Sequence, residues 1–395
     1  MSTISRIIFF RETTLRDEAC QRLLGIDLLK KYGYIVEIWD ISFLVFPNLK
    51  ADNSASEISE RKFFLTKEDL YSEILNLSKS DFIISFMFYN LEDFWIFRQM
   101  SRSKSDYAII SPNLRLPIGR KQSNSLTKIK IILTKKPRDI VNFIIRRIPF
   151  QLLGVIPPRI FIACTLNAVK QNKLPVGDST DILLTHDFNY DQFIKSSSKD
   201  YKNSSYSKEK YIVFLDQYLP FHPDFIISNN GPKLEPEKYY SSLRRYFNYL
   251  KKITGFDVVI AASSASKYKD SYNYFDGYTV IENKTASLVE NSEFVVLHFS
   301  SAFAFPVLYM KLMLLITNNS LEASYSKYYI ESIANHFNLN PVNIDLKNDE
   351  KLSPLNLKFD KDIYNKYREE YIKSMDSSNL DFWTIVANKL RVMTT

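Results

Sequence analysis

Glycine, histidine and cysteine are scarce in this chain: 8, 4 and 2 of 395 residues. No GxGxxG and no GxxxxGK(S/T) occurs, which removes the usual dinucleotide-binding and P-loop readings. Cys20 and Cys164 are too few for a disulfide scaffold or a four-ligand zinc site, and they predict a reducing compartment. The histidines are scattered and form no HExxH-type pair, so no transition-metal centre is expected. No secretory leader is expected. Arg6, Arg11 and Arg16 bracket only a four-residue apolar run, and the expected location is cytoplasmic. What is abundant is apolar surface: at 45% apolar residues, the length suffices for two buried cores.

The formal net charge of +8 is concentrated in one place. Residues 114–147 hold ten Lys and Arg and one acid, Asp139, so this block carries +9 and the rest of the chain −1. Such a stripe attracts nucleic acid or an anionic membrane. A strongly apolar stretch, 148–169, follows directly, and apolar residues beside a cationic run are how a protein lies on a bilayer. Residues 114–169 are therefore expected to meet an anionic membrane surface. The alternative is that 148–169 is a buried segment of the first domain. A membrane span is not expected, because Pro157-Pro158 and Arg159 break and charge its centre. Nucleic acid is not an expected partner, since no module interleaves aromatics with the basic residues.

Strand and helix patterns alternate through both halves. Apolar runs predict strands at 6–10, 34–41, 81–88, 107–111 and 181–185, and helical periodicity predicts helices at 18–32, 70–77 and 91–100. Repeated strand–helix–strand units predict a parallel sheet covered on both faces. Residues 196–210 are polar and free of core residues, and read as a linker. The alternation then restarts with strands at 211–215, 256–262, 279–281, 294–298 and 312–317, and helices at 236–254, 285–290 and 302–311. The expected fold class is α/β, with two Rossmann-like domains facing across a cleft. The division is 1–195, linker 196–210, 211–378, and a C-terminal helix, 379–395, returning to the first domain.

The second half carries a recognisable order of residues. Lys284-Thr285-Ala286 opens a helix, 294–298 is a buried strand, Ser300-Ser301 follows, and an apolar helix and strand come next. Upstream stand Asp216-Gln217 after a strand, Phe221-His222-Pro223, and His186 to Asp191 at the end of the first domain. This order resembles the donor-binding domain of GT-B glycosyltransferases, more narrowly the bacterial enzymes of capsule and lipopolysaccharide O-antigen synthesis. The likeness is good from residue 181 to about 346, and only in outline before that. It implies a nucleotide-sugar donor bound by Asp216, Gln217, Ser263, Ser264, Lys284, Thr285, His298, Ser300 and Ser301. A helix start suits the donor phosphate, although a serine there is also an ordinary N-cap. His298 either touches the leaving phosphate or is a satisfied core imidazole. Where such proteins often carry His-Pro, this chain has Ser263-Ser264, which leaves the donor open. With a phosphate site built of serines and a helix start, neither a metal nor another cofactor is expected.

An inverting transferase needs a group to take the acceptor hydroxyl's proton. The loop after the first strand offers Glu12 or Asp17, with Arg11 and Arg16 as pKa-tuning or acceptor-phosphate groups. The same loop also reads as a helix N-cap region. Asp187, with Asp191, is the second candidate. The basic block makes an undecaprenyl-diphosphate-linked glycan at the inner face of the cytoplasmic membrane the expected acceptor. Competing readings are a sugar-nucleotide enzyme of the same build, such as a hydrolysing 2-epimerase, and a non-catalytic subunit of a glycan-assembly complex.

Overall fold

The structure, a computed structural model, describes residues 3–12, 21, 23–46, 58–91, 93–111, 116–117, 137–172, 174–196, 209–222, 225, 231–266, 268, 272–346 and 359–393. Its contacts separate two units: 1–114 with 120–188 and 373–395, and 189–372 with 115–119.

The first unit is a seven-stranded parallel sheet of β1 (Arg6–Arg11), β2 (Ile35–Asp40), β3 (Arg61–Phe63), β4 (Asp81–Ser85), β5 (Asp106–Ser111), β6 (Ile160–Ala163) and β7 (Asp181–Leu184). Their spatial order is β3-β2-β1-β4-β5-β6-β7. Ile7 to Phe10 are all fully buried, as a parallel strand covered on both faces requires. Successive side chains point to opposite faces, so Ile8 and Phe10 join one core cluster and Ile7 and Phe9 the other.

The second of these clusters is closed from the far end of the chain. Helix Phe382–Val392 inserts Phe382, Trp383, Val386, Ala387 and Leu390 into it, as the returning C-terminal helix was expected to do. The Trp383 ring stands edge-on to Phe9 at 5.1 Å, and its Nε1–H donates to the Leu23 carbonyl at 2.8 Å. Gly25 lies beneath it with φ +56°, and a Cβ there would sit 2.2 Å from the indole. A side chain at 25 would meet both strain and a clash. His186, fully buried after β7, points Nε2 at the Leu380 carbonyl at 2.9 Å, fastening the returning segment.

The stretch 148–169 is part buried and part exposed. Its centre is the buried strand β6, paired between β5 and β7. Pro157-Pro158 and Arg159, which break a span, lead into this strand, and the Arg159 N–H starts its ladder on the Tyr107 carbonyl. Ile148, Leu152 and Ile156, before the strand, are exposed. No helix among the described residues is long and apolar enough to cross a membrane. The cationic positions 115, 120, 121, 128, 130, 135 and 136 lie outside the described residues, as does 197–208 of the expected linker.

The second unit is a six-stranded parallel sheet of β8 (Tyr211–Leu215), β9 (Asp257–Ala261), β10 (Thr279–Ile281), β11 (Phe294–Leu297), β12 (Leu312–Thr317) and β13 (Val342–Asn343). Its order is β10-β9-β8-β11-β12-β13. Helix Pro236–Thr254 begins with Pro236 and stops at Gly255 in the left-handed region. It lays Tyr239, Tyr240, Tyr246 and Phe247 on the sheet, giving a core rich in aromatic rings. Each unit thus has the doubly wound order in which the first strand sits centrally and later strands are added on either side, the α/β class expected from the sequence.

Candidate functional site

In a doubly wound sheet the chain reverses its winding at one point, and ligands bind beyond the carboxyl ends of the strands there. The two such points are between β1 and β4, and between β8 and β11.

At the β8–β11 point, three loops are tied by side chains. Asp216, directly after β8, is 4% exposed. Its Oδ1 accepts the Tyr218 N–H at 2.9 Å and its Oδ2 accepts the Tyr268 hydroxyl at 2.9 Å. The backbone N–H groups of Ser263 and Gln217 also donate to it. Burial nevertheless dominates, raising this carboxyl from an ordinary 3.8 to about 6. Gln217 reaches the third loop: its Oε1 accepts the Phe299 N–H at 2.9 Å, one residue before Ser300. Asp216 is therefore an internal brace, with both carboxyl oxygens committed.

His298 is also internal. It is fully buried, and its Nδ1 lies 2.8 Å from the Ile316 carbonyl. A carbonyl only accepts, so Nδ1 carries the proton and Nε2 accepts the Tyr239 hydroxyl at 3.1 Å. Burial lowers this imidazole from 6.5 to about 4, keeping it neutral. With both nitrogens occupied, it is the satisfied core imidazole and has no atom left for a phosphate.

The remaining donor candidates lie along this rim, with Ser300 buried, Ser263 and Thr285 half-buried, and Ser264, Lys284 and Ser301 exposed. Ser300 is the N-cap of the turn Ser301–Phe303, its hydroxyl accepting the Ala302 N–H at 3.2 Å, and the turn runs into helix Ala304–Leu308. Ser301 is exposed. Ser263 begins the loop after β9, where its Oγ accepts the Ala265 N–H at 3.2 Å, and Ser264 is exposed beside it. Lys284 is exposed immediately before helix Thr285–Asn291, and Thr285 is half-buried as its first residue. An Asp-x-Asp tripeptide that the sequence reading passes over, Asp360-Lys361-Asp362, is a cap: Asp360 accepts the N–H groups of Asp362 and Ile363.

At the β1–β4 point, Glu12 is 3% exposed and its Oε2 accepts the Phe88 N–H at 3.3 Å. Arg11 lies over the Phe86 ring, 4.6 Å from its centroid. The loops after β1 and β4 are thereby joined through Glu12. Asp17 and Arg16 lie outside the described residues. Asp187 is buried after β7, four strand steps from β1, or roughly 19 Å at the usual strand spacing. The structure therefore does not pair it with Glu12. Asp191 lies on helix Phe188–Ser196, at the start of the second unit.

The sequence reading missed Tyr239 and Tyr268, which hold His298 and Asp216. No spacing could have signalled them, because each comes from a different loop or helix than its partner. Phe88, which orients Glu12, was hidden in the same way.

No model of a known protein family matches the chain, and no curated protein matches it. Solved structures do. UGT89C1 from Arabidopsis thaliana aligns over 99% of both chains at 11% identity and a TM-score of 0.50. CalG4, the calicheamicin glycosyltransferase, aligns over 98% of both chains at 10% identity and a TM-score of 0.48. The S. aureus MnaA–UDP structure covers 99% of this chain and 98% of its own at 12% identity and a TM-score of 0.47. At these identities the likeness is one of fold: two Rossmann-like α/β units in a single chain, the GT-B build.

Proposed function

We propose that the protein is a metal-independent glycosyltransferase. It would move a sugar from a nucleotide-sugar donor to a bacterial surface glycan carried on undecaprenyl diphosphate at the inner face of the cytoplasmic membrane. One observation carries the reading: at the β8–β11 winding point, Asp216 and Gln217 brace three loops so that Ser263, Ser264, Ser300 and Ser301 stand on one rim. Serine hydroxyls, exposed at Ser264 and Ser301, and N–H groups at a helix start suit a leaving phosphate, whose developing charge they stabilise. In the first unit, Glu12 is the residue proposed to take the acceptor's proton, with Arg11 beside it.

The test is the melting temperature of the whole chain in the presence of CMP, CDP, UMP, UDP, GDP or dTDP. A nucleotide at a hundred times its Kd should stabilise by about 2.7 kcal/mol. One nucleotide is expected to raise the melting temperature of the wild type and to lose most of that effect in Ser300→Ala/Ser301→Ala. Silence from all six would favour the non-catalytic subunit. Release of nucleotide from a nucleotide sugar without any acceptor would favour the hydrolysing epimerase.

Support for the membrane comes from the first unit. Helix Pro137–Ile145 exposes Val141, Phe143 and Ile144, and Arg146 and Arg147 are exposed directly after it. The Asn142 side chain accepts the Leu91 N–H, and Arg146 donates to the Tyr89 carbonyl, so this helix is held to the loop that orients Glu12. An apolar face with arginines at its edge fits an anionic bilayer, each cation adding about 1 kcal/mol. The chain is expected to float with phosphatidylglycerol vesicles and not with phosphatidylcholine ones. Phe143→Ser/Ile144→Ser should reduce flotation severalfold, and failure to float with either lipid would end the membrane reading.

A further inference from the structure

One feature of the second unit is used by neither site. Tyr325, Tyr328 and Tyr329 recur at the spacing that places side chains on one face of a helix, at the start of helix Ser326–Phe337. The helix's other side buries Ile330, Ile333 and Phe337 in the core. The three tyrosines form a row: ring centroids are 5.4 Å apart for Tyr325–Tyr328 and 5.7 Å for Tyr325–Tyr329. Tyr329 then stacks on Phe299 at 5.8 Å with the planes 15° apart. Phe299 is the residue whose N–H is held by Gln217 and which precedes Ser300. The row thus runs outward from the proposed phosphate rim to open solvent, ending at Tyr325 and Tyr328, which are 57% and 45% exposed.

We infer that this tyrosine row is a binding subsite for the sugar chain of a glycan, lying next to the donor rim. The inference rests on the transferase reading and adds that the substrate is an oligosaccharide of several residues. A pyranose presents one face of C–H groups and a rim of hydroxyls. A tyrosine offers the matching pair, an apolar ring and a polar tip. The charges among the rings do not favour the other occupants. On this helix Lys327 and Glu331 pair at 3.7 Å, so it carries no cluster of cations for phosphates or an anionic bilayer, in contrast to the arginine-edged helix of the first unit. The tyrosines meet edge-on, with planes 63° and 78° apart, so the exposed Tyr325 and Tyr328 are the rings that offer a sugar a face.

Saturation-transfer NMR on the full chain tests this, with maltohexaose, cellohexaose and chitohexaose as probes against glucose and N-acetylglucosamine. Transfer is expected to at least one hexasaccharide and to be stronger than to its monosaccharide. Tyr325→Ala/Tyr328→Ala should weaken that binding by about tenfold, while Tyr325→Phe/Tyr328→Phe, which keeps the faces, should retain most of it. The nucleotide-induced rise in melting temperature, measured on the same variants, should not change. That rise separates the two readings: if it is absent from the wild type while hexasaccharide binding is present, the transferase reading fails and the subsite stands. No transfer from any probe, or equal binding by the alanine pair, overturns the subsite. So does a sedimenting dimer that the alanine pair abolishes, which would make the row an interface between copies.

Discussion

Trp383→Ala is expected to destabilise the first unit by about 3–5 kcal/mol, the cost of removing a large buried aromatic and leaving its cavity. The indole is 2% exposed, touches Phe9, caps the Leu23 carbonyl and fills the space above Gly25. Its loss also leaves that carbonyl without the indole N–H. The helix from Phe382 contributes five residues to this cluster, and the variant should loosen the whole helix. The second unit's cluster contains none of these residues. Urea unfolding followed by far-ultraviolet circular dichroism should therefore show one transition moved to lower denaturant and another in place. Coincident wild-type and variant curves would mean that the helix contributes nothing to the first unit.

The second large effect is concealed in the wild type. Burial raises the Asp216 carboxyl from 3.8 to about 6, so its contribution to stability is full below about 3.8 and is lost as pH rises through 6. Burial lowers His298 from 6.5 to about 4, so its contribution is full above 6.5 and is lost as pH falls through 4. Each displacement is worth about 3 kcal/mol at roughly 1.4 kcal/mol per pH unit. The signs are opposite and the windows nearly coincide, so the two effects offset each other. Single substitutions should expose them. Asp216→Asn should become more stable by about 3 kcal/mol on going from pH 4 to 6.5, as His298 loses its proton in the unfolded chain. His298→Asn should become less stable by a similar amount between pH 4 and 6, as Asp216 ionises in the unfolded chain before it does in the fold. Chemical denaturation across this range, compared with the wild-type slope, measures both. Parallel slopes in all three proteins would show that neither group is displaced by burial.

Most of the fold was legible because parallel strands are written as short apolar runs. IIFF at 7–10 and VVL at 295–297 need no context to be read as buried strands. The exceptions have physical causes. β3 reads Arg61-Lys62-Phe63 and lies at a sheet edge with both basic residues outside the core, so it has no apolar signature. β6 was obscured by the apolar residues on either side of it, which merged strand and surface into one stretch. The candidate site was legible only where function and local structure coincide. Ser300 could be read as the start of a helix, and the structure makes it an N-cap. Asp216 and His298 were visible at strand ends, but whether such a residue faces solvent or the interior depends on Tyr268 and Tyr239, which nothing local encodes. Glu12 was nominated for its loop, and its alignment by a backbone N–H 76 residues away emerged only with the fold.

The discontinuity of the first unit bears on how the molecule is made. A ribosome delivers Phe9, Leu24 and Leu29 early, but the helix that covers them begins about 190 residues after Phe188, the last earlier residue of that unit. At about 10 residues per second, that face waits ~20 s for its cover. Through that interval the nascent chain presents a greasy sheet surface beside a second unit that can already close its own core. The surface is a ready substrate for chaperones and a place for two unfinished chains to associate, and it vanishes when the last helix emerges.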